Sequence, residues 1–476
     1  MLKGARTPAA LLGCALVLAC IAYLCTAPRL LVRDAIDFRS FYCATQAVLA
    51  RHSPYTAEPL RTCENATARS VGAATMAPGL ALPAPLPGYA FIFFLPLAML
   101  PYAGANVVYD LVLIGASVLT VFLVARLTGV PVLVVAAALA LGLGFQSLRL
   151  GQIVPLVLLL LVLGARLLER GRYWACAAVL GAAMIEPHVA APALASAFLI
   201  VPRMRVPLVT VALCLASLAV AALGAGQNIF YLHDVLPAHA AAEISMNTYQ
   251  FSLTNLLHQL GVADKAALLL GECSYIVMCV VGVALGGALA TRASRPAFLV
   301  LCPCAIALLG GPFVHLVQIV CALPLALFLL ASPQRIPGIT TATLLLASPW
   351  LELLRNSEIT GVILFVALVS LPIAWYASGG RRVNALGLTL AMILIGASLC
   401  VLAPRIHHRN FNSRTVPMQA RAGNLMAEVS WSAYTRRMLD VPDPLLIAEK
   451  LPTWAGLVIL LTVATAQASA ARKVAA

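Results

Sequence analysis

Charge is scarce in this chain. Only 10% of its 476 residues are charged, while 62% are hydrophobic; an ordinary soluble domain carries about 25% charged residues. That deficit excludes a soluble fold of this size, which could not cover its own apolar surface. Acidic residues are scarcest, 17 against 31 Lys and Arg, for a formal net charge of +14. The basic excess does not point to nucleic acid, because Lys and Arg sit mostly in ones and twos between apolar runs rather than along one polar face. The chain also lacks a P-loop, a dinucleotide fingerprint, an HExxH and a GxSxG with partners, which leaves soluble-nucleotide chemistry without support. Its 13 cysteines form no CxxC pair and no Cys/His cluster with metal spacing. No metal and no cofactor are expected.

What is abundant is apolar sequence in runs long enough to cross a bilayer, about 17–25 residues each. The expected fold class is all-α, a polytopic membrane protein with more than ten transmembrane helices forming a single integral membrane domain over residues 1–476. Candidate spans are 9–28, 103–125, 130–147, 152–168, 173–186, 187–201, 206–225, 266–290, 297–310, 312–331, 337–352, 359–377, 384–403 and 453–470. The first follows Lys3 and Arg6, is long for a signal-peptide core and ends without a convincing cleavage site, so it reads as a retained helix. With the N-terminus inside, every inside connection carries Lys or Arg: Arg126, Arg170 and Arg172, Arg203 and Arg205, Arg292 and Arg295, Arg335, Arg381 and Arg382, then Arg472 and Lys473. Residues 88–100 are apolar but short and contain Pro96, which predicts a re-entrant or interfacial helix, with a half-length span as the alternative. The outer side then receives loops 28–87, 226–265 and 404–452, with a connector near Arg149 to Gln152.

Chemistry is expected where these loops meet the outer helix ends. Asp34 and Asp37 follow directly on the first span, beside Arg33 and Arg39. Partial burial raises a carboxylate pKa and a neighbouring Arg lowers it, which together can poise a general base; solvated interface charges are the plain alternative. Glu186-Pro187-His188 interrupts an apolar stretch, with Pro187 expected to end a helix between the two polar residues. Such breaks line cavities or form ordinary turns. Gln146, Arg149 and Gln152 flank another outer turn, where an Arg suits a phosphate. Tyr249 to His258 reads as a short amphipathic helix carrying Gln250 and Asn255. His315, His407 and His408 are weaker candidates, and Asn65-Ala66-Thr67 matches a glycosylation sequon. In the first loop Cys43 and Cys63 are expected as free thiols, with a disulfide as the alternative if that side is oxidising.

The order of features resembles glycosyltransferase family 87. Asp37-Phe38-x-x-Phe41-Tyr42-x-Ala44 and Ser53-Pro54-Tyr55 resemble the start of that family's first loop. The likeness continues through Phe94-Leu95-Pro96-Leu97-Ala98, Gly151-Gln152, Arg170-Gly171-Arg172 and Tyr249-Gln250-Phe251-Ser252-Leu253, and thins beyond about residue 260. The resemblance implies a GT-C helix bundle in the bacterial inner membrane, transferring mannose from a polyprenyl-phosphate donor to a lipid or glycan acceptor outside. It implies that Asp37 is the catalytic base. Asp34, Arg39, Tyr42, Arg149, Gln152, Glu186, His188 and Gln250 are the expected substrate-binding residues, with Arg149 and Gln152 placed toward the leaving phosphate by position. Where the family commonly has Lys-Pro or Lys-x-x-Pro, this chain has Glu186-Pro187-His188, which inverts the local charge. A transporter or flippase is the competing expectation from another class, although the two halves show no repeat. An inactive envelope scaffold is a third.

Overall fold

The computed structural model describes residues 35–76, 79–142, 147–246, 249–332, 338–347, 425–438 and 444–470. Asp34, Gln146, His407 and His408, and the candidate spans 9–28, 359–377 and 384–403, lie outside the described residues. Those described are helical, with no strand beyond isolated bridges at Thr56–Met426 and Gln250–His315. The protein is an all-α polytopic membrane bundle.

In the first loop, α1 (Ile36–Leu49) and α2 (Ala57–Ser70) form a helical pair, followed by the short α3 (Ala90–Ala98). At nine residues α3 is about 13 Å long, well short of a hydrocarbon core about 30 Å thick. The helices α4 (Tyr102–Thr128), α5 (Val132–Gly142), α6 (Val154–Glu169), α7 (Tyr173–Ala183), α8 (Pro187–Ile200) and α9 (Arg205–Phe230) then run back and forth. Through a π-helical turn, α9 continues into α10 (Leu236–Glu243). Beyond the short α11 (Leu253–Gln259) come α12 (Asp264–Ala293), α13 (Phe298–Ala307) and a 3-10 segment, Leu316–Ala322, which leads into α14 (Leu323–Leu330). The remaining described helices are α15 (Ile339–Ala347), α16 (Ala427–Met438) and α17 (Pro444–Ala470).

Four helical stretches are long and apolar enough to cross a bilayer: Tyr102–Thr128, Pro202–Glu243, Asp264–Ala293 and Lys450–Ser469. Leu213, Ile276 and Val280 on them are more than 60% exposed, as expected where the solvent is lipid. Helix packing uses small residues. A methyl group at Gly282 would sit 2.8 Å from the Pro303 Cα, and one at Gly286 would sit 2.9 Å from the Phe298 carbonyl. Close backbone approach of this kind drives association where lipid gives no hydrophobic advantage.

The bundle has two chemically different ends. At one end Arg295 donates to Glu169 (2.6 Å) and to the Leu127 carbonyl (2.8 Å), and Arg292 donates to the Gln467 carbonyl (2.7 Å). Arg172 and Arg203 lie in turns on that side. From the basic turns, α7, α9 with α10, and α13 lead along the chain to Glu186, Glu243 and residues 310–318.

Two expectations about local structure are corrected. The Tyr249 to His258 run is not one helix: residues 249–251 pair with 314–316 through Phe251 N to Val314 O (2.7 Å) and Leu316 N to Tyr249 O (2.9 Å). The helix starts only at Leu253, because the Ser252 side chain accepts from the Asn255 amide and caps it. Pro187 does not end a helix but opens α8, while α7 stops earlier, at Ala183. Proline is well suited to the first helical turn, where its missing N–H would have no partner anyway.

Cys43 and Cys63 form a disulfide, with Cα atoms 5.6 Å apart, in place of the expected free thiols. Packing of α1 on α2 brings them within bridging reach, which spacing along the chain did not reveal. On its other side α1 is fixed by aromatic packing. The fully buried Phe38 stacks on Tyr109 at 4.2 Å between centroids and lies beside Phe94 and Tyr102. Truncating it should cost about 3–5 kcal/mol. Phe38→Ala should therefore lower the thermal midpoint of the solubilised protein clearly, whereas Phe93→Ala, at a side chain already 44% exposed, should barely move it.

Candidate active site

The polar end of the bundle is built around three carboxylates on three different elements. Asp37 stands in the first turn of α1. The neighbouring turn, Leu148–Leu150, closes at Gly151 with φ +71°. Only glycine fits there. Besides the left-handed backbone, a Cβ would lie 2.7 Å from that of Ala35 and 2.9 Å from that of Phe38. This close approach presses Gln152 against Asp37, and the Gln152 amide Nε2 donates to Asp37 Oδ2.

Glu186 occupies the break between α7 and α8. Its Oε1 accepts from Gln318 Nε2 at 2.7 Å and lies 3.6 Å from His188 Nε2. Gln318 is itself fixed, because its Oε1 accepts from the His315 amide at 2.9 Å. The His188 ring meets the edge of Phe313 at 4.6 Å.

Glu243 ends α10 and is buried. Its Oε2 accepts from the fully buried Gln250 at 2.6 Å, and its Oε1 accepts from Trp431 Nε1 at 3.2 Å. Gln250 is held in turn by the Val314 amide, which donates to its Oε1 at 2.9 Å. His315 Nε2 lies 3.6 Å and His239 Nε2 4.0 Å from the Glu243 carboxylate. His239, Glu243 and His315 are the described residues grouped closely enough to hold a metal ion.

Asp37 is half-buried by area, yet its carboxyl is enclosed. Burial pushes its pKa up to about 7; the Gln152 amide pulls the other way, while the charges of Glu243 and Glu186 add to the rise. Both its acid and its ionised form are therefore populated near neutrality, and it can take up a proton reversibly there.

Asp37, Gln152, Glu186, His188 and Gln250 thus share one end of the bundle. Two other sequence candidates point elsewhere. The Arg39 guanidinium donates to the Ala74 carbonyl (3.5 Å) and the Met76 sulfur (3.2 Å). Tyr42 donates to the Leu100 carbonyl (2.8 Å) and accepts from Gln46 (3.2 Å), which ties α1 to the end of α3. Arg149 lies in the turn before Gln152, but its side chain is outside the described residues. Glu243, His239 and Gln318 escaped sequence reasoning. The spacing of His239 and Glu243, four residues apart and so on one helix face, was the available signal.

The family model of glycosyltransferase family 87 matches residues 87–333. The match contains Gln152, Glu186, His188, His239, Glu243, Gln250, His315 and Gln318, extends past residue 260, and begins after Asp37. A search of curated proteins returns no match.

Infrared titration checks the site directly. The carboxylic C=O band of Asp37 should disappear as pH rises through about 7 and be missing in Asp37→Asn. In Gln152→Leu it should persist to higher pH, since the amide that favours the charged form is gone.

Proposed function

This chain belongs to glycosyltransferase family 87, and on that premise we propose that it transfers mannose from a polyprenyl-phosphate carrier to a lipid or glycan hydroxyl at the outer membrane face. It is a membrane glycosyltransferase.

The observation that carries the residue assignment is Asp37, an enclosed carboxylate at a helix start with its pKa raised to about 7. In the proposed reaction the acceptor oxygen attacks the anomeric carbon, and the bond from that carbon to the phosphate oxygen breaks. Asp37 receives the acceptor's proton, and the carrier leaves as polyprenyl monophosphate. A base with a pKa near the working pH serves this step best, being largely ionised yet still basic. Gln152 holds the Asp37 carboxylate in place for it.

The other residues divide by charge. Glu186 repels phosphate, so in this reading it accepts hydrogen bonds from sugar or acceptor hydroxyls, with His188 beside it. Arg149, in the turn before Gln152, is the proposed partner of the leaving phosphate. Trp431 offers an aromatic face next to Glu243 and stacks on Tyr434 at 5.5 Å, a surface suited to a sugar ring. The outer side is supported by the Cys43–Cys63 disulfide, which belongs to oxidising compartments, and by the basic turns at the far end of the bundle.

The test is transfer of labelled mannose from polyprenyl-phosphate mannose in membranes containing wild type or Asp37→Asn. Loss of the base should reduce the rate by about 10²–10⁴-fold without changing the amount of folded protein. Undiminished transfer by Asp37→Asn would remove Asp37 as the base. Wild-type transfer from a different lipid-linked sugar, with none from mannose, would replace the donor.

A further inference from the structure

We propose that His239, Glu243 and His315 bind one divalent transition-metal ion, of which zinc is the first candidate, beside Asp37. His239 and Glu243 stand four residues apart on the same face of α10, and His315 reaches them from the chain that pairs with Gln250. One ligand atom from each lies within 4.8 Å of the others, with 3.6 Å from His315 Nε2 and 4.0 Å from His239 Nε2 to the Glu243 carboxylate. A zinc ion bonds imidazole nitrogen and carboxylate oxygen at about 2.0–2.2 Å, which requires ligand atoms about 3–4 Å apart. Small side-chain rotations meet that requirement.

His239 supplies an independent reason. Its side chain is only 9% exposed, its Nδ1 has no hydrogen-bond partner, and its Nε2 is too far from Glu243 to form one. A buried imidazole left this way is costly, and a cation held between Nε2 and Glu243 gives that nitrogen a partner. The charges point in the same direction. Glu243 acts on Asp37 together with Glu186, and among the described residues no Lys or Arg pairs with any of the three. A divalent ion would offset this concentration of negative charge.

The surroundings suit a metal. Gln250 and Trp431 each donate to a different oxygen of Glu243, leaving lone pairs on both. Donors of this kind orient ligating carboxylates in metal sites. Two imidazoles with one carboxylate favour zinc and its transition-metal neighbours over magnesium or calcium, which prefer oxygen alone. Three protein ligands also leave a coordination position open. If the chain works as proposed above, that position is suited to an oxygen of the donor phosphate, and the ion would supply the positive charge that Glu186 does not.

The experiment measures metal content, independently of sugar transfer. Full-length protein in detergent is stripped with EDTA, incubated with Zn²⁺, Mn²⁺ or Mg²⁺ in parallel, desalted, and analysed by inductively coupled plasma mass spectrometry. Wild type should retain about one equivalent of zinc or manganese and no magnesium. His239→Ala and the conservative Glu243→Gln should each retain at least about tenfold less, at wild-type elution volume on size exclusion. His258→Ala, which alters a histidine paired instead with Asp264, should retain as much as wild type. Wild type that holds no transition metal, or a folded Glu243→Gln that holds as much as wild type, overturns the proposal. Zinc retained by a protein that transfers no mannose upholds this site and counts against the function above. Transfer by protein that binds no transition metal does the reverse.

Discussion

Each of three carboxylates at one end of the bundle accepts a hydrogen bond from the side-chain amide of a glutamine: Asp37 from Gln152, Glu186 from Gln318, and Glu243 from Gln250. An enclosed carboxylate needs donors, and an arginine or lysine would provide them at the expense of its charge. A neutral amide satisfies the oxygens and leaves the negative charge available for proton transfer or for a cation. The pairing therefore keeps three acidic groups reactive in a setting where charged residues are otherwise rare.

Much of the local fold can be understood as holding those glutamines still. Gly151 allows the turn before Gln152 to press against α1, because no side chain larger than hydrogen fits between them. Gln250 sits in a two-stranded contact with residues 314–316, and the Val314 amide fixes which end of its side chain faces Glu243. Gln318 is locked by the His315 amide. The same short contact therefore serves two of the three pairs. Both are further braced by α17, where Trp454 donates to the Phe251 carbonyl (2.9 Å) and Lys450 to Asn255 (2.8 Å). The aromatic packing of Phe38 performs the equivalent task for Asp37.

The bundle was legible in the sequence because membrane spans announce themselves locally, as long apolar runs separated by basic turns. Asp37, Gln152 and Glu186 stood out for the same reason, as polar residues in apolar surroundings. Glu243 did not, since the polar stretch from Tyr231 to Gln250 offers many such residues and gives no sign of which one turns inward. The pairing of Gln250 with His315 spans 65 positions and leaves no trace in periodicity. Ser252 shows how one hydroxyl can override an amphipathic pattern by starting the helix later. Arg39 shows the opposite: its distance along the chain from Asp37 is short, but two residues apart on a helix means nearly opposite faces.

The central claim is that a carboxylate raised to about 7 by burial and by its acidic neighbours accepts the proton during sugar transfer. Its most direct test is the pH dependence of kcat/KM, measured with a soluble short-chain donor. A base must be ionised to act, so the account predicts a rate that is level above about pH 7 and falls tenfold per unit below it. A limb near pH 4, where an exposed aspartate titrates, or a flat profile down to pH 5, would contradict it.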